Sequence, residues 1–248
     1  MSELASRIRR AVRAEPAPMG FGAAVRQPTP SMLVLALARS ADEAEAAAKV
    51  GADAIVFDGV ALERAAGARK QASGTPCGLR VEQADSTAVS AAKEAGLDFL
   101  LVQPDRTAAA ALLDRDLGFV LDLREELTDV QLRTLDAMNI DAIWLGVLDG
   151  PLTLRKLMEL QRVSGLSRKP LAVVAADAIE ASDLEALRAA GVAAVAVEAS
   201  RKGAVEAMKQ AVAALPARSA LRAEERVAAL VPRAGLAAVA EEEEEEEE

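Results

Sequence analysis

Four stretches of the chain share one pattern: VGADAIVFDG (50–59), AGLDFLLVQP (95–104), MNIDAIWLGV (138–147) and AGVAAVAVEA (190–199). Each carries near its start a Gly or Asn, residues that suit the left-handed position after a helix. About two linking residues follow, then a short apolar run. The spacing is about 45 residues, the signature of a repeated supersecondary unit. Between these stretches lie four more apolar runs: SMLVLALAR (31–39), TPCGLRVEQ (75–83), LGFVLDLRE (117–125) and KPLAVVAAD (169–177). Segments of helical period separate them, among them SADEAEAAAKV, DSTAVSAAKEA, TDVQLRTLDAM, TLRKLMELQRV, SDLEALRAA and GAVEAMKQAVAAL. Ser40, Asp85, Thr128 and Ser182 stand where N-caps belong.

Eight strands, each followed by a helix, imply a parallel sheet. Eight such units in so short a chain imply a closed (β/α)8 barrel, an α/β fold. The rival, an open doubly wound sheet, carries a glycine-rich first turn. Here the first turn reads ARSADE, without Gly. Residues 31–199 therefore resemble a TIM barrel, broadly of the kind that binds phosphorylated metabolites. The resemblance covers about three quarters of the chain and rests on pattern, since no signature motif of one enzyme family is present.

The chain divides into an N-terminal helix with a Pro/Gly-rich loop (1–30), the barrel (31–216), a C-terminal helical extension (217–240) and an acidic tail (241–248). Residues 3–14 form a basic amphipathic helix, expected to cover the bottom of the barrel. In the loop, Gly20 and Gly22 lack the Lys-Ser/Thr and helix start of a phosphate loop. ARSALRAEERVAALV reads as a further helix ended by Pro232, and the eight glutamates repel one another and are expected to be disordered.

Those glutamates also account for most of the net charge of −10: without them 31 acidic residues face 29 basic ones. A nearly neutral body argues against nucleic-acid binding. One cysteine excludes an intramolecular disulfide. The N-terminus lacks a signal-peptide core, and no window reaches the roughly 18 apolar residues of a membrane span. These features place the protein in the cytoplasm. A homo-oligomer is left open.

Side chains alternate between the two faces of a strand. If Leu79 and Val81 face the helices, then Gly78, Arg80 and Glu82 face the barrel interior. The same parity turns Val120, Asp122 and Arg124 inward on strand five, with Leu121 and Leu123 outward. On strand eight it turns Ala194, Ala196 and Glu198 inward, with Val195 and Val197 outward. Asp58 on strand two and Gln103 on strand four join this set. Charged residues thus gather at the carboxyl ends of the strands, where barrels of this kind carry their chemistry. Asp58, Glu82, Asp122 and Glu198 are the candidate catalytic acids, and Arg80, Arg124 and Gln103 the candidate substrate contacts. Four carboxylates against two arginines leave room for a divalent cation such as Mg2+, a cationic ligand or a raised carboxylate pKa. An inert internal ion network is the alternative reading.

The turn after strand eight reads ASRKG. Ser200, Arg201, Lys202 and Gly203 place a hydroxyl, two cations and a glycine just before a helix, as in the resembled phosphate sites. The turn after strand seven, AADAIEASD, departs from them: it has alanines where they have glycines, and Asp177 and Glu180 would repel a phosphate.

The chain has no His and no Tyr. That removes the usual proton shuttle, His-containing zinc sites and Ser-His-Asp triads. No Lys lies within a predicted strand, which argues against Schiff-base chemistry. Cys77 reads as a small buried residue near the bottom of the barrel, and the single Trp144 as core packing. Three functions follow. The first is binding of a small anionic metabolite, with lyase or isomerase chemistry run by carboxylates and arginines. The second is a catalytically inactive binding or scaffold barrel. The third, implied by the resemblance, is a flavin-dependent oxidoreductase.

Overall fold

The computed structural model describes residues 2–12, 31–72, 74–176 and 179–216. The expectations for the Pro/Gly loop, the C-terminal helix, the acidic tail and Asp177 fall outside the described residues. Eight strands form: Leu33–Ala38 (β1), Ala54–Phe57 (β2), Cys77–Arg80 (β3), Phe99–Val102 (β4), Gly118–Asp122 (β5), Ala142–Leu148 (β6), Leu171–Ala175 (β7) and Val192–Glu198 (β8). They pair in parallel in chain order, and β8 closes onto β1 with Leu37 opposite Glu198. This is the closed (β/α)8 barrel that the repeat implies.

Helices follow the strands: Ala41–Lys49 (α2), Leu62–Arg69 (α3), Ser86–Glu94 (α4), Asp129–Thr134 (α5), Leu154–Ser167 (α6), Ala181–Ala189 (α7) and Ala204–Ala213 (α8), with Glu3–Val12 (α1) ahead of the barrel. Three expected caps form. Ser40 accepts from Glu43 N, Asp85 from Ala88 N, and Thr128 builds a reciprocal capping box with Gln131. Ser182 does not cap. Its helix begins at Ala181, two residues earlier than a cap at Ser182 requires, so Glu180 holds the cap position without a side-chain bond. The turn after β4 is a second departure. Instead of an α-helix it holds two 3₁₀ turns, Pro104–Arg106 and Ala109–Leu113. Ala84 bonds the carbonyl of Arg106, and Ala108 bonds that of Ala84, so this segment's backbone pairs beside the end of β3.

The alternation of the strands makes two cores. Val34, Ile55, Leu79, Leu100, Leu121 and Val195 pack outward against the helices. Leu35, Val56, Phe99, Leu101, Val120 and Trp144 fill the interior, with alanines at 54, 142, 172, 194 and 196. The small residues make room for the two aromatics. Gly78 shows this directly: a β-carbon there would lie 2.2 Å from the Phe99 ring.

Helix α1 closes the bottom. Leu4, Ile8 and Ala11 belong to the interior core and complete it from below. The helix starts on Asp98, whose carboxylate accepts from Ser2 Oγ at 2.7 Å, Glu3 N at 2.7 Å and Leu4 N at 2.9 Å. Asp98 recurs in the repeat as Asp53 and Asp141. Asp53 accepts from Val34 N and from Lys209, and Asp141 accepts from Phe119 N. These acids tie the bottom of the barrel, and burial pushes the Asp141 carboxyl above the usual carboxylate range. Among the described residues no helix is long and apolar enough to cross a membrane.

Replacing Gly78 with Ala forces the Phe99 ring to move within a filled interior. Overpacking of this kind costs about 1–3 kcal/mol. Urea unfolding should report a midpoint lowered to match, and the double variant Gly78→Ala with Phe99→Leu should recover part of the loss.

Candidate functional site

The interior face of the barrel changes character at its carboxyl end. Below, it is apolar. Above, Asp58 follows β2, Arg80 ends β3, Asp122 ends β5 and Glu198 ends β8. All four hold the parity of inward neighbours Val56, Gly78, Val120 and Ala196. Arg80 is the hub. Its Nη1 donates to Asp58 Oδ2 at 2.8 Å, and its Nε lies 3.4 Å from Asp122 Oδ2. Asp122 is 3 % exposed and also accepts from Arg124 Nε at 2.9 Å. The Arg80 guanidinium carbon sits 5.7 Å from the centroid of the Trp144 indole, within cation–π range. Trp144 is core, as its sequence position suggests, and it also forms a wall of this cluster.

Glu198 belongs to a second pair, with Arg39 Nη2 3.4 Å from its Oε1. Asp58 N bonds the carbonyl of Ala38, the residue before Arg39, so the two pairs occupy neighbouring strand ends. Around β8, β1, β2, β3 and β5 the charges alternate: Glu198, Arg39, Asp58, Arg80, Asp122, Arg124.

Two candidates stand differently from the expectation. Glu82 lies beyond the end of β3, exposed, with no hydrogen bond or ion pair among the described residues. It does not join the cluster, because β3 stops at Arg80 and the chain turns aside to pair Ala84 with the segment after β4. Arg124 is attached through Asp122 but is itself 58 % exposed. Gln103 is half-buried at the end of β4, where its carbonyl accepts from Thr107 Oγ1. Arg39 was the residue to add. It continues the inward parity of Leu33, Leu35 and Leu37, and that signal is readable in the sequence. With Arg39 in and Glu82 out, three acids face three arginines, and the expected excess of negative charge is gone. Among the described residues no three of His, Cys, Asp or Glu gather closely enough to hold a metal ion. The donors for Mg2+ are therefore not assembled among them.

The turn after β8 leads into α8. Gly203 takes a left-handed conformation, φ 78°, and serves as N-cap without a side-chain bond. Ser200, Arg201, Lys202 and Gly203 are all exposed. Arg201 reaches across to β7, where its Nη2 donates to the Ala175 carbonyl at 3.0 Å. Lys202 makes no ion pair among the described residues. Two clefts of about 260 and 280 Å3 open beside β6. The first lies between Leu148, Leu152, Lys156, Ile179 and Asp183. The second, between Leu127, Leu145, Lys156 and Arg162, reaches Arg124 at the edge of the charged cluster. Both fall near the lower end of small-ligand pocket sizes, about 300 Å3.

Cys77 faces the helices in the outer core. Burial pushes its thiol up to about 12, against an ordinary value of 9.0, so it stays protonated and unreactive near neutral pH.

No protein-family model matches the chain, and no curated protein does. Solved structures share its fold. KGPDC from Streptococcus mutans superposes with a TM-score of 0.61 at 13% identity, covering 73% of this chain and 97% of that one. 3-Hexulose-6-phosphate synthase gives 0.56 at 17%, covering 75% and 100%. The 3-keto-L-gulonate-6-phosphate decarboxylase of Vibrio cholerae O1 biovar El Tor gives 0.58 at 14%, covering 73% and 97%. At these identities the likeness is one of fold: the chain is a TIM barrel, and its neighbours in structure include enzymes named for phosphorylated substrates.

The two ion pairs differ in burial and should differ in worth. Asp122→Ala strips a buried carboxylate from Arg80 and should cost on the order of 3–5 kcal/mol. Glu198→Ala breaks a pair whose arginine is 63 % exposed, and should cost about 0–1 kcal/mol. Equal losses in denaturant melts would contradict this ranking. For Cys77 the folded pKa is raised, so its contribution to stability is complete below the unfolded value. It is lost as pH climbs from about 9 towards 12. Cys77→Ala should flatten that alkaline fall, and a thiol reagent at pH 8 should label the native parent at least a hundredfold more slowly than the unfolded chain.

Proposed function

We propose that this barrel binds a small phosphorylated anion at its carboxyl-end mouth. The phosphate rests on the Ser200–Gly203 turn, and the rest of the ligand lies over the Asp58–Arg80–Asp122 cluster. The observation that carries this reading is the change of the interior from apolar to charged at the one end of the barrel where this fold carries its sites. The turn supports it: α8 begins without a side-chain cap, and although Ala204 N bonds the Arg201 carbonyl, the amides that follow and the helix dipole favour an anion there. Lys202 supplies the exposed cation, while Arg201 is braced on β7 and positions the turn.

If the bound ligand reacts, lyase or isomerase chemistry suits the groups present. Proton transfer then falls to Asp58, which has one partner and is 25 % exposed. Asp122 is shared by two arginines and buried, so it holds Arg80 in place. Glu82 and Glu198 lie at the margin of this chemistry, the first outside the cluster and the second paired with Arg39.

A second reading, a barrel without catalysis, is favoured by the balance of three acids against three arginines. A network whose charges balance among its own members does not require a substrate. The two readings part on one measurement. Inorganic phosphate should raise the melting temperature of the parent saturably at millimolar concentration, as a ligand of the folded state must. Lys202→Ala should leave the ligand-free melting temperature within about a degree and weaken the effect about tenfold, a charge-assisted bond being worth roughly 1.5–3 kcal/mol. Surface exclusion of phosphate gives instead a rise linear in concentration, the same in parent and variant. That result would leave the non-catalytic reading standing.

A further inference from the structure

We infer that Trp144 is a ligand contact: its indole Nε1–H and the Nε–H of Arg80 together receive a carboxylate oxygen of the bound molecule. This rests on the reading that the mouth is a ligand site, and it names a second chemical group of the ligand besides the phosphate. Two donors carry it. Arg80 Nε and Trp144 Nε1 are both buried, and neither has a hydrogen-bond acceptor among the described residues. Native proteins leave few buried donors unpaired, because each loses its water without compensation.

The two side chains lie against each other. Both residues hold inward positions. The guanidinium of Arg80 lies over the indole, and Trp144 is the cross-strand partner of Asp122. Asp122 is within ion-pair distance of Arg80 Nε but does not bond it; its Oδ2 is turned to Arg124. Among the described residues Arg80 is hydrogen-bonded through Nη1 alone, to Asp58. Arg124 is largely exposed, and the Nε edge of Arg80 carries no hydrogen bond that an entering oxygen would have to break. Local charge selects the ligand group. Asp58 and Asp122 face the same space, offset by Arg80 and Arg124, and a doubly charged phosphate is repelled more than a singly charged carboxylate. The phosphate therefore stays at the α8 turn, and the carboxylate enters the barrel.

The chain contains one Trp and no Tyr, so its ultraviolet emission reports this position alone. Acetate titrated against chloride at constant ionic strength should change Trp144 emission saturably in the full-length protein. Chloride should not, and inorganic phosphate should raise the melting temperature with little effect on the emission. Arg80→Lys keeps a charge for Asp58 and Asp122 but removes the Nε–H; half-saturation by acetate should rise about tenfold. Trp144→Phe, followed by calorimetry, should weaken acetate about fivefold or more, which keeps the test open should Arg80→Lys not fold. Acetate and chloride acting alike on the emission would overturn the inference. So would variants that bind acetate as the parent does. Saturable stabilisation by phosphate with Trp144 silent to acetate would remove the carboxylate contact and leave the phosphate reading intact. An acetate response without a phosphate effect would do the opposite.

Discussion

A closed ring of eight parallel strands encloses a space that every second residue must fill, and the other features of this protein answer to that constraint. Two aromatics, Phe99 and Trp144, supply the bulk. Each requires small neighbours: Gly78 beneath one ring, and alanines on β6, β7 and β8 near the other. The high alanine content of the strands is thus the complement of a few large side chains. Where the filling stops, at the carboxyl end, the same inward positions become charged, and arginines and carboxylates pair with one another there.

That alternation also explains why so much could be read from the chain alone. The strands, their order and the closure follow from the recurring Gly-x-x-apolar unit. The inward set Asp58, Arg80, Asp122 and Glu198 follows from period two. What escaped was set by where strands end. Glu82 obeys the parity of β3, but the strand stops two residues short of it and the side chain leaves the interior. Arg39 lies just past β1 on the inward register, in a stretch whose reading as a turn hid its partner on β8. The segment after β4 has the composition of a helix, yet Ala84 takes its Arg106 carbonyl and Ala108 amide, a tertiary pairing no local pattern reveals. Ser182 stands two residues past Glu180, the position that caps its helix.

The charge balance of the mouth changes its chemistry. Four acids and two arginines would have invited a cation; three and three make a neutral, mutually braced array whose unsatisfied edges are donors. Arg80 has one bonded side and one open side. An array of that kind discriminates by geometry more than by net charge, and its buried members, Arg80 and Asp122, resist substitution more than the exposed pair of Arg39 and Glu198.

Helix α1 precedes every strand of the barrel in the chain, yet its seat is built from strands far apart in sequence. Its anchor is Asp98, and the strands it packs against are β1, β5 and β8. During synthesis it emerges ahead of all of them, and its apolar stripe has no complete surface to rest on until residue 198 has joined the ring. An early strand–helix unit can form from neighbours alone. The floor of the barrel cannot, because its seat is shared between the two ends of the sequence. Docking of α1 therefore registers that the circle is whole, and a chain arrested before β8 should carry this helix exposed, offering its Leu4–Ile8–Ala11 face to whatever holds unfinished chains.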